Sequence, residues 1–519
     1  MSGVEILLIV GAGIAVYAIA GRRGLQPGLV VVVLAALVSF IPGVPRLELD
    51  SELILALVVP PLLYSATRAT PVSGFGANLR PILSLGVFLV LLTTAALGFV
   101  ASWIMPSIGL AAAFVLGAVL APPDTITTVS HGAELGLPRR ATQILTGESL
   151  VNDATALTVF SLAIAAVNGE GKSVGGGVLE FFYTAIAGAV IGVVMAIVTL
   201  YLRKHLGNPI LEIALVLLLP FTAYLVAEEL NASGILAVVG AAFMTSSNLT
   251  FDPRHQYPGA HRTRLMEGPV WEVVDFLLEN FVFAYIGLQL KFVLDDLKDE
   301  TPGLRAALIA GVVLLAAAVV VRMLGVILLF GRWAVAERWA QRQLMRDPRA
   351  AVRIERRKEQ WAHHRGRSQP LGATTFREDV LVGWTGMRGI LTLAAAAAVP
   401  EHTRSGADFP GRDAIQAIAL IVTLGTLLLQ GTTIRKVAVA LKFDVATEKQ
   451  EAEKTRERGR ELVLAAVDHD GPLTSGDYDK QRQAAGQAML TEHLDEAVMR
   501  ELVEDIDFRQ AAAEREWKQ

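Results

Sequence analysis

The sequence predicts an all-α, polytopic membrane protein with thirteen transmembrane helices, two of them discontinuous at mid-membrane and related as an inverted repeat. Three observations carry that expectation. The 519 residues are 53% hydrophobic and only 18% charged, whereas a soluble domain carries about 25% charge, and the mean hydropathy is +0.48. Thirteen windows are apolar over lengths that cross a ~30 Å hydrocarbon core. Two of those windows hold helix breakers and a charge together near their middles.

The windows lie near 4–20, 27–42, 53–69, 81–104, 107–130, 141–167, 177–202, 209–230, 233–250, 270–290, 304–330, 379–399 and 411–437. The first is apolar, but Glu5 stands where a signal peptide has basic residues, and Arg22–Arg23 follow it. It is therefore expected to stay in the protein. The second window is short and the ninth is rich in Gly and Ser. Odd parity puts the two termini on opposite sides of the membrane.

Loop charges orient the chain. With the N-terminus outside, the inner loops carry Arg22–Arg23, Arg68, Arg80, Arg139–Arg140, Arg203–Lys204, Arg254, Arg262 and Arg264, and the Arg-rich segment 332–378. The outer loops carry Glu48, Asp50, Glu52, Met105–Ser107, Asn168–Gly171, Glu228–Glu229, Asp295–Asp296 and Asp299–Glu300. Basic residues gather on the cytoplasmic side, so a multi-pass cell-membrane protein with N-terminus outside and C-terminus cytoplasmic is expected. The basic segment 332–378 fixes topology and offers a surface to anionic lipid.

Composition excludes several chemistries. There are no cysteines, so disulfides, thiolate chemistry and thiolate-held metals are out. The nine His never pair at metal-ligand spacing on a helix, and His363–His364 sit in the basic segment. No cofactor motif is visible, and nothing points to a nucleic-acid partner.

The fifth window reads Gly117-Ala-Val-Leu-Ala-Pro-Pro-Asp-Thr-Ile-Thr-Thr-Val129. Two mid-span prolines remove two N–H donors and clash with preceding carbonyls. The twelfth reads Val382-Gly-Trp-Thr-Gly-Met-Arg-Gly389 before a run of Ala and Leu. These breaks are seven spans apart, so the triplets around them enter the membrane from opposite sides, the pattern of an inverted repeat with discontinuous helices. Each break exposes a positive half-helix N-terminus and a negative C-terminus. Asp124 is suited to the facing N-termini and Arg388 to the facing C-termini.

The sixth window places Glu148, Ser149, Asn152 and Asp153 at i, i+1, i+4 and i+5, one face of a helix. Arg139–Arg140 lie about two turns before it and about a dozen apolar residues follow Asp153, which sets the group near mid-depth. A carboxylate there faces the protein interior or a wet cavity and marks function by default. Intramembrane charges need partners. Glu148 has one candidate in Arg322, a lone charge deep in the eleventh window. Asp124 and Arg388 offset the half-helix ends and each other. Asp153 has none, and desolvation disfavours a bare carboxylate, so it holds either a proton or a small cation.

At these residues the chain resembles the sodium/proton antiporters of the NhaP and eukaryotic NHE type. Five stretches carry the resemblance in order: Val59-Pro-Pro-Leu-Leu-Tyr64, Ala121-Pro-Pro-Asp-Thr125, Gly147-Glu-Ser-Leu-Val-Asn-Asp153, Glu279-Asn-Phe-Val-Phe-Ala-Tyr-Ile-Gly-Leu288 and Trp384-Thr-Gly-Met-Arg-Gly389. The resemblance implies an NhaA/NhaP-like antiporter fold over residues 1–441. Core spans at about 81–167 and 304–437 would move against dimer and scaffold spans at about 4–69 and 177–290. It implies a homodimer. It implies Asp153 as the Na⁺- and proton-binding carboxylate, with Asn152 steadying it, Ser149 and Thr125 as further oxygen ligands and Asp124 beside them, and a Glu148–Arg322 ion pair. Pro123 stands where relatives often have Thr, and Ser65 where they often carry Glu or Asn, which leaves Na⁺, Li⁺ and K⁺ preference open.

The function expected is secondary active exchange of Na⁺, or Li⁺ or K⁺, for H⁺ in pH homeostasis. Only the loaded carboxylate would cross, so exchange is expected to be electroneutral and 1:1, with no enzymatic reaction. A K⁺-selective antiporter is the alternative within the class. A cation channel would want a ring of acids or a filter, and none is visible. An intramembrane aspartyl protease would need two catalytic Asp on adjacent spans. Asp124 and Asp153 are so placed, but no Gly-x-Gly-Asp motif is present. A receptor would explain the charged tail but not the paired breaks.

From about residue 442 to 519 charge rises and helix formers dominate. Gly471-Pro472 divides this tail into two expected helical stretches. The second carries Leu490, Leu494, Val498, Leu502 and Ile506 at four-residue spacing, an amphipathic stripe for packing on itself or on a second protomer.

Overall fold

The computed structural model describes residues 3–22, 27–44, 46, 56–69, 75, 78–124, 137–169, 174–251, 260–299, 303–346, 374–443, 446–467, 471–491 and 496–516. Among them the secondary structure is helical. In chain order the helices are α1 (Gly3–Arg22), α2 (Pro27–Ser39), α3 (Val59–Ala69), α4 (Leu79–Ile104), α5 (Gly109–Leu120), α6 (Arg139–Val167), α7 (Val174–Leu206), α8 (Pro209–Glu229), α9 (Gly234–Phe251), α10 (Ala260–Asp299) and α11 (Gly303–Arg346). There follow α12 (Phe376–Trp384), α13 (Ile390–Ala397), α14 (Arg412–Leu441), α15 (Ala446–Leu464), α16 (Ser475–Thr491) and α17 (Glu496–Glu516).

Each apolar window of the sequence overlaps one or two of these helices. Seven helices, α4, α6, α7, α8, α10, α11 and α14, are long and apolar enough to cross a membrane by length and composition, and four shorter apolar helices accompany them. α10 has 40 residues and so extends about 60 Å, twice a hydrocarbon core.

The helices sort into two packed groups. α4, α5, α6, α11, α12 and α14 contact one another most extensively, as do α3, α7, α8 and α9, with α1 and α2 against α10. α10 also reaches α13 and α14, and so touches both groups. Small residues set the close approaches. A Cβ on Gly192 of α7 would lie 1.8 Å from the Ala237 carbonyl oxygen of α9. α4 and α14 each contain a π-helical turn, Ser84–Leu89 and Leu427–Gly431, a feature that recurs at functional sites.

α15, α16 and α17 share their own apolar core of Val463, Tyr478, Ala485, Ala488, Val498, Met499, Leu502 and Ile506. The expected second stretch of the tail is two helices rather than one. The four-residue spacing from Leu490 to Ile506 runs on past the end of α16, so periodicity does not mark the division. Val498, Leu502 and Ile506 line one face of α17, whereas Leu494 and the Leu490 side chain lie outside the described residues.

Candidate functional site

The fifth window is broken where its prolines fall. α5 ends at Leu120, and residues 121–124 are not helical. Pro122 and Pro123 cannot donate to the helix, but the Pro123 carbonyl accepts a hydrogen bond from Asn152 Nδ2 at 2.9 Å. Asn152 therefore ties α6 to the break. The second break separates α12 from α13 across residues 385–389.

The two breaks interlock. Arg388 comes from the second break and donates through Nε to the Leu120 carbonyl at 2.9 Å, the last residue of α5 in the first. It also donates through Nη1 to the Gly386 carbonyl at 2.5 Å, and its backbone N–H donates to Thr426 Oγ1 at 2.9 Å. In return, the Asp124 N–H donates to the Met387 carbonyl at 2.5 Å. The Asp124 carboxylate lies against Gly389, the residue that precedes α13: a Cβ there would sit 1.8 Å from Asp124 Oδ2. A cation thus sits at one half-helix C-terminus and an anion at the other half-helix N-terminus, the arrangement helix dipoles favour.

Glu148 and Arg322 meet in a two-pronged contact, with Nη1–Oε1 at 2.6 Å and Nη2–Oε2 at 3.1 Å, both residues buried. Arg322 Nη2 also donates to the carbonyls of Val382 and Thr385, at 3.1 and 3.0 Å. Those carbonyls belong to the C-terminal end of α12, so Arg322 serves a broken-helix end as well as an ion pair. Gly386 makes room for it, since a Cβ there would lie 2.3 Å from Arg322 Cδ.

Asp153 is 8% exposed. The charges acting on it are those of Asp124 and Glu148, both acids, and among the described residues no basic side chain is paired with it. Beside it, Ser149 Oγ and Asn152 Oδ1 are buried without a hydrogen-bond partner among the described residues. These free oxygens and the Asp153 carboxylate are suited to a small cation or a proton. Thr125, the remaining expected oxygen ligand, lies outside the described residues. Among the described residues no group of three His, Cys, Asp or Glu could hold a resident metal ion.

The structure adds a carboxylate that the sequence did not single out. Ser65 Oγ on α3 donates to Asp275 Oδ2 on α10, and Asp275 Oδ1 is buried without a partner. One turn further along α10, Glu279 feels the charges of both Asp275 and Asp124. The signal was present as an acid inside the apolar window 270–290. Between α10, α13 and α14 lies a small cleft, with Tyr285, Ile286, Leu393 and Leu420 among its walls and Arg46, Glu401 and Arg412 among its polar lining.

Two interlocked helix breaks and a buried acid on the adjoining helix define an integral, multi-pass ion transporter. The family model described as "Sodium/hydrogen exchanger, transmembrane" matches residues 6–440, and the chain belongs to that family. It is 29% identical over 476 residues, 90% of this chain and 80% of the relative, to an uncharacterised Na⁺/H⁺ exchanger of Mycobacterium bovis. It is 31% identical over 395 residues, 74% of this chain and 66% of the relative, to the uncharacterised Na⁺/H⁺ exchanger YjcE of Escherichia coli. A sodium, potassium, lithium and rubidium/H⁺ antiporter of Bacillus pumilus is 28% identical over 77% of this chain and 56% of the relative. The fold is similar to that of the sodium proton antiporter MjNhaP1 from Methanocaldococcus jannaschii, with TM-score 0.61 and 15% identity over 84% of this chain and 97% of that one.

Proposed function

We propose that this protein exchanges one monovalent cation, Na⁺ or Li⁺ or K⁺, for one proton across the cell membrane, with Asp153 as the shared binding group. The observation that carries the reading is the environment of Asp153: buried, beside two acids, with no basic partner among the described residues. Leaving such a carboxylate bare in the membrane is costly, so it crosses loaded. Proton and cation compete for it, with Ser149, Asn152 and Thr125 offering oxygens to the cation. Around the breaks the other deep charges are engaged, Glu148 with Arg322 and Arg388 with helix-end carbonyls, while Asp275 and Glu279 stand apart on α10. One binding group then carries one charge in either direction, and transport is electroneutral.

α4–α6 and α11–α14 form the moving core in this reading, and α1–α3 with α7–α10 the scaffold of a homodimer in lipid, N-terminus outside and C-terminus in the cytoplasm. The breadth of cations in the name of the Bacillus pumilus relative supports testing Na⁺, Li⁺ and K⁺ side by side. Purified protein in proteoliposomes with an internal pH dye should show proton flux driven by a cation gradient, and Asp153→Asn should abolish it while keeping the protein folded. Substantial cation-driven flux through Asp153→Asn would overturn the assignment.

A further inference from the structure

The tail stands with one end on each of the two helix groups. At its start, only residues 442–445 separate α14 from α15, and four extended residues reach at most about 14 Å. The first of them is held to α12, where Arg377 Nη1 donates to the Lys442 carbonyl at 3.3 Å. At its far end, α17 lies on α10. Arg264 grips Asp507 with two hydrogen bonds, Nε–Oδ2 at 2.7 Å and Nη2–Oδ1 at 2.8 Å. Arg262 pairs with Glu514, and His261 Nε2 lies 3.3 Å from Glu514 Oε1. Arg500 Nη2 donates to Ser246 Oγ of α9 at 2.9 Å, and Ser246 in turn donates to the Arg68 carbonyl of α3 at 3.1 Å.

The span between these ends is a packed unit. The three tail helices share a common apolar core. The docking carboxylate is built into it: Arg482 of α16 donates through Nε to the same Asp507, at 2.7 Å, and is itself held by Gln510. Burial alone would push the Glu514 carboxyl up, but the hydrogen bond and charge of Arg262 and the Gln510 hydrogen bond hold the group below the usual carboxylate range. The contact is therefore ionic at neutral pH.

We propose that the tail is a strap between the moving core and the fixed scaffold, which restrains the exchange movement and is released at the α10–α17 contact. The inference rests on the core-and-scaffold reading given under Proposed function. A hydrogen bond of 2.7 Å is lost once its partners separate beyond about 3.5 Å, so once the short 442–445 link is drawn out, a further displacement near 1 Å breaks the Arg264–Asp507 grip. Core movement then has to break that contact or bend the tail. An ordinary cytosolic appendage held to one helix group alone would place no load on the movement.

The test uses the absence of native cysteines. Arg262→Cys/Glu514→Cys protein is reconstituted, assayed, joined with a bifunctional maleimide reagent carrying a reducible bridge, and assayed again before and after reduction. Joining is expected to slow cation-driven proton exchange at least tenfold, and reduction to restore it. Arg264→Gln is expected to exchange two- to fivefold faster than the unaltered protein. Joined protein that exchanges within twofold of the unjoined, or Arg264→Gln that is no faster, overturns the strap. Absence of exchange in both the unaltered and the unjoined protein would instead overturn the exchanger reading, which separates the two failures.

Discussion

Neutralising Glu148 alone should damage the protein less than neutralising Arg322 alone, and the pair should be strongly non-additive. Glu148→Gln leaves the Arg322 charge buried without its carboxylate, a loss of about 3–5 kcal/mol for pairs of this kind. Arg322→Met strands Glu148 in the same way. It also takes the donor from the Thr385 carbonyl, whereas the Val382 carbonyl still accepts from Thr385 Oγ1, and a buried acceptor left without its donor costs roughly 1–3 kcal/mol. Arg322→Met is thus expected to be worse than Glu148→Gln by at least about 1 kcal/mol. The double variant strands no charge, so its loss should fall short of the sum of the singles by about 3 kcal/mol, the upper range for coupled neighbours. Unfolding in mixed SDS–detergent micelles, followed by tryptophan fluorescence where it is reversible, gives the four free energies. Additivity within about 0.5 kcal/mol would refute the pairing. Equal losses in the two singles would refute the second role of Arg322 at the end of α12.

Three other outcomes follow from the same geometry. Gly389→Ala places a Cβ against Asp124 Oδ2 and should lower exchange at least tenfold, while Gly383→Ala, whose Cβ meets the movable Met323 sulfur, should keep most of it; equal exchange in both would show that Asp124 need not sit at Gly389. Asp275→Asn removes the charge beside Ser65 and should raise the half-saturating cation concentration several-fold with a smaller change in maximum rate, measured by dye quenching in vesicles; an unchanged half-saturation would leave Asp275 without a part in cation access. Solid-supported-membrane recordings should show no sustained current during exchange, because a moved unit charge would couple to about 2.3 kcal/mol per 100 mV; a current that reverses with the gradient would mean that a second group carries protons.

Charged residues inside apolar windows are rare enough to stand out, which is why Glu148, Asp153, Arg322 and Arg388 were legible without coordinates. The breaks were legible for a similar reason: Pro122 and Pro123 cannot sustain a helix, and α5 stops at Leu120. Partner choice was less visible. Ser65 and Asp275 are 210 residues apart, and nothing local in either says that they meet. The second role of Arg322, on Val382 and Thr385, depends on how closely α11 passes the end of α12, which Gly386 permits but does not announce. In the tail, the stripe of Val498, Leu502 and Ile506 marked an apolar face, but Arg264 and Asp507 lie 243 residues apart and looked like ordinary solvated charges.

The way the two breaks satisfy each other bears on how a site of this kind can change its exposure. Arg388 of the second break serves the last carbonyl of α5, and Asp124 of the first lies at the start of α13. Asn152 fastens α6 to the same stretch through Pro123. Pulling α5 away from α13 would orphan the Leu120 and Met387 carbonyls and strand Arg388 in the interior, at roughly 1–3 kcal/mol for each neutral group and more for the charge. Sliding α13 and α14 along α10 meets a different surface. There Tyr285, Ile286, Leu393 and Leu420 line a small cleft, and apolar contacts are non-directional, so they can be exchanged for similar ones. The least costly movement therefore keeps the interlocked breaks together and shifts them as one body against α10. Asp153 travels with them. Asp275 and Glu279 stay on α10, where a returning site would meet them.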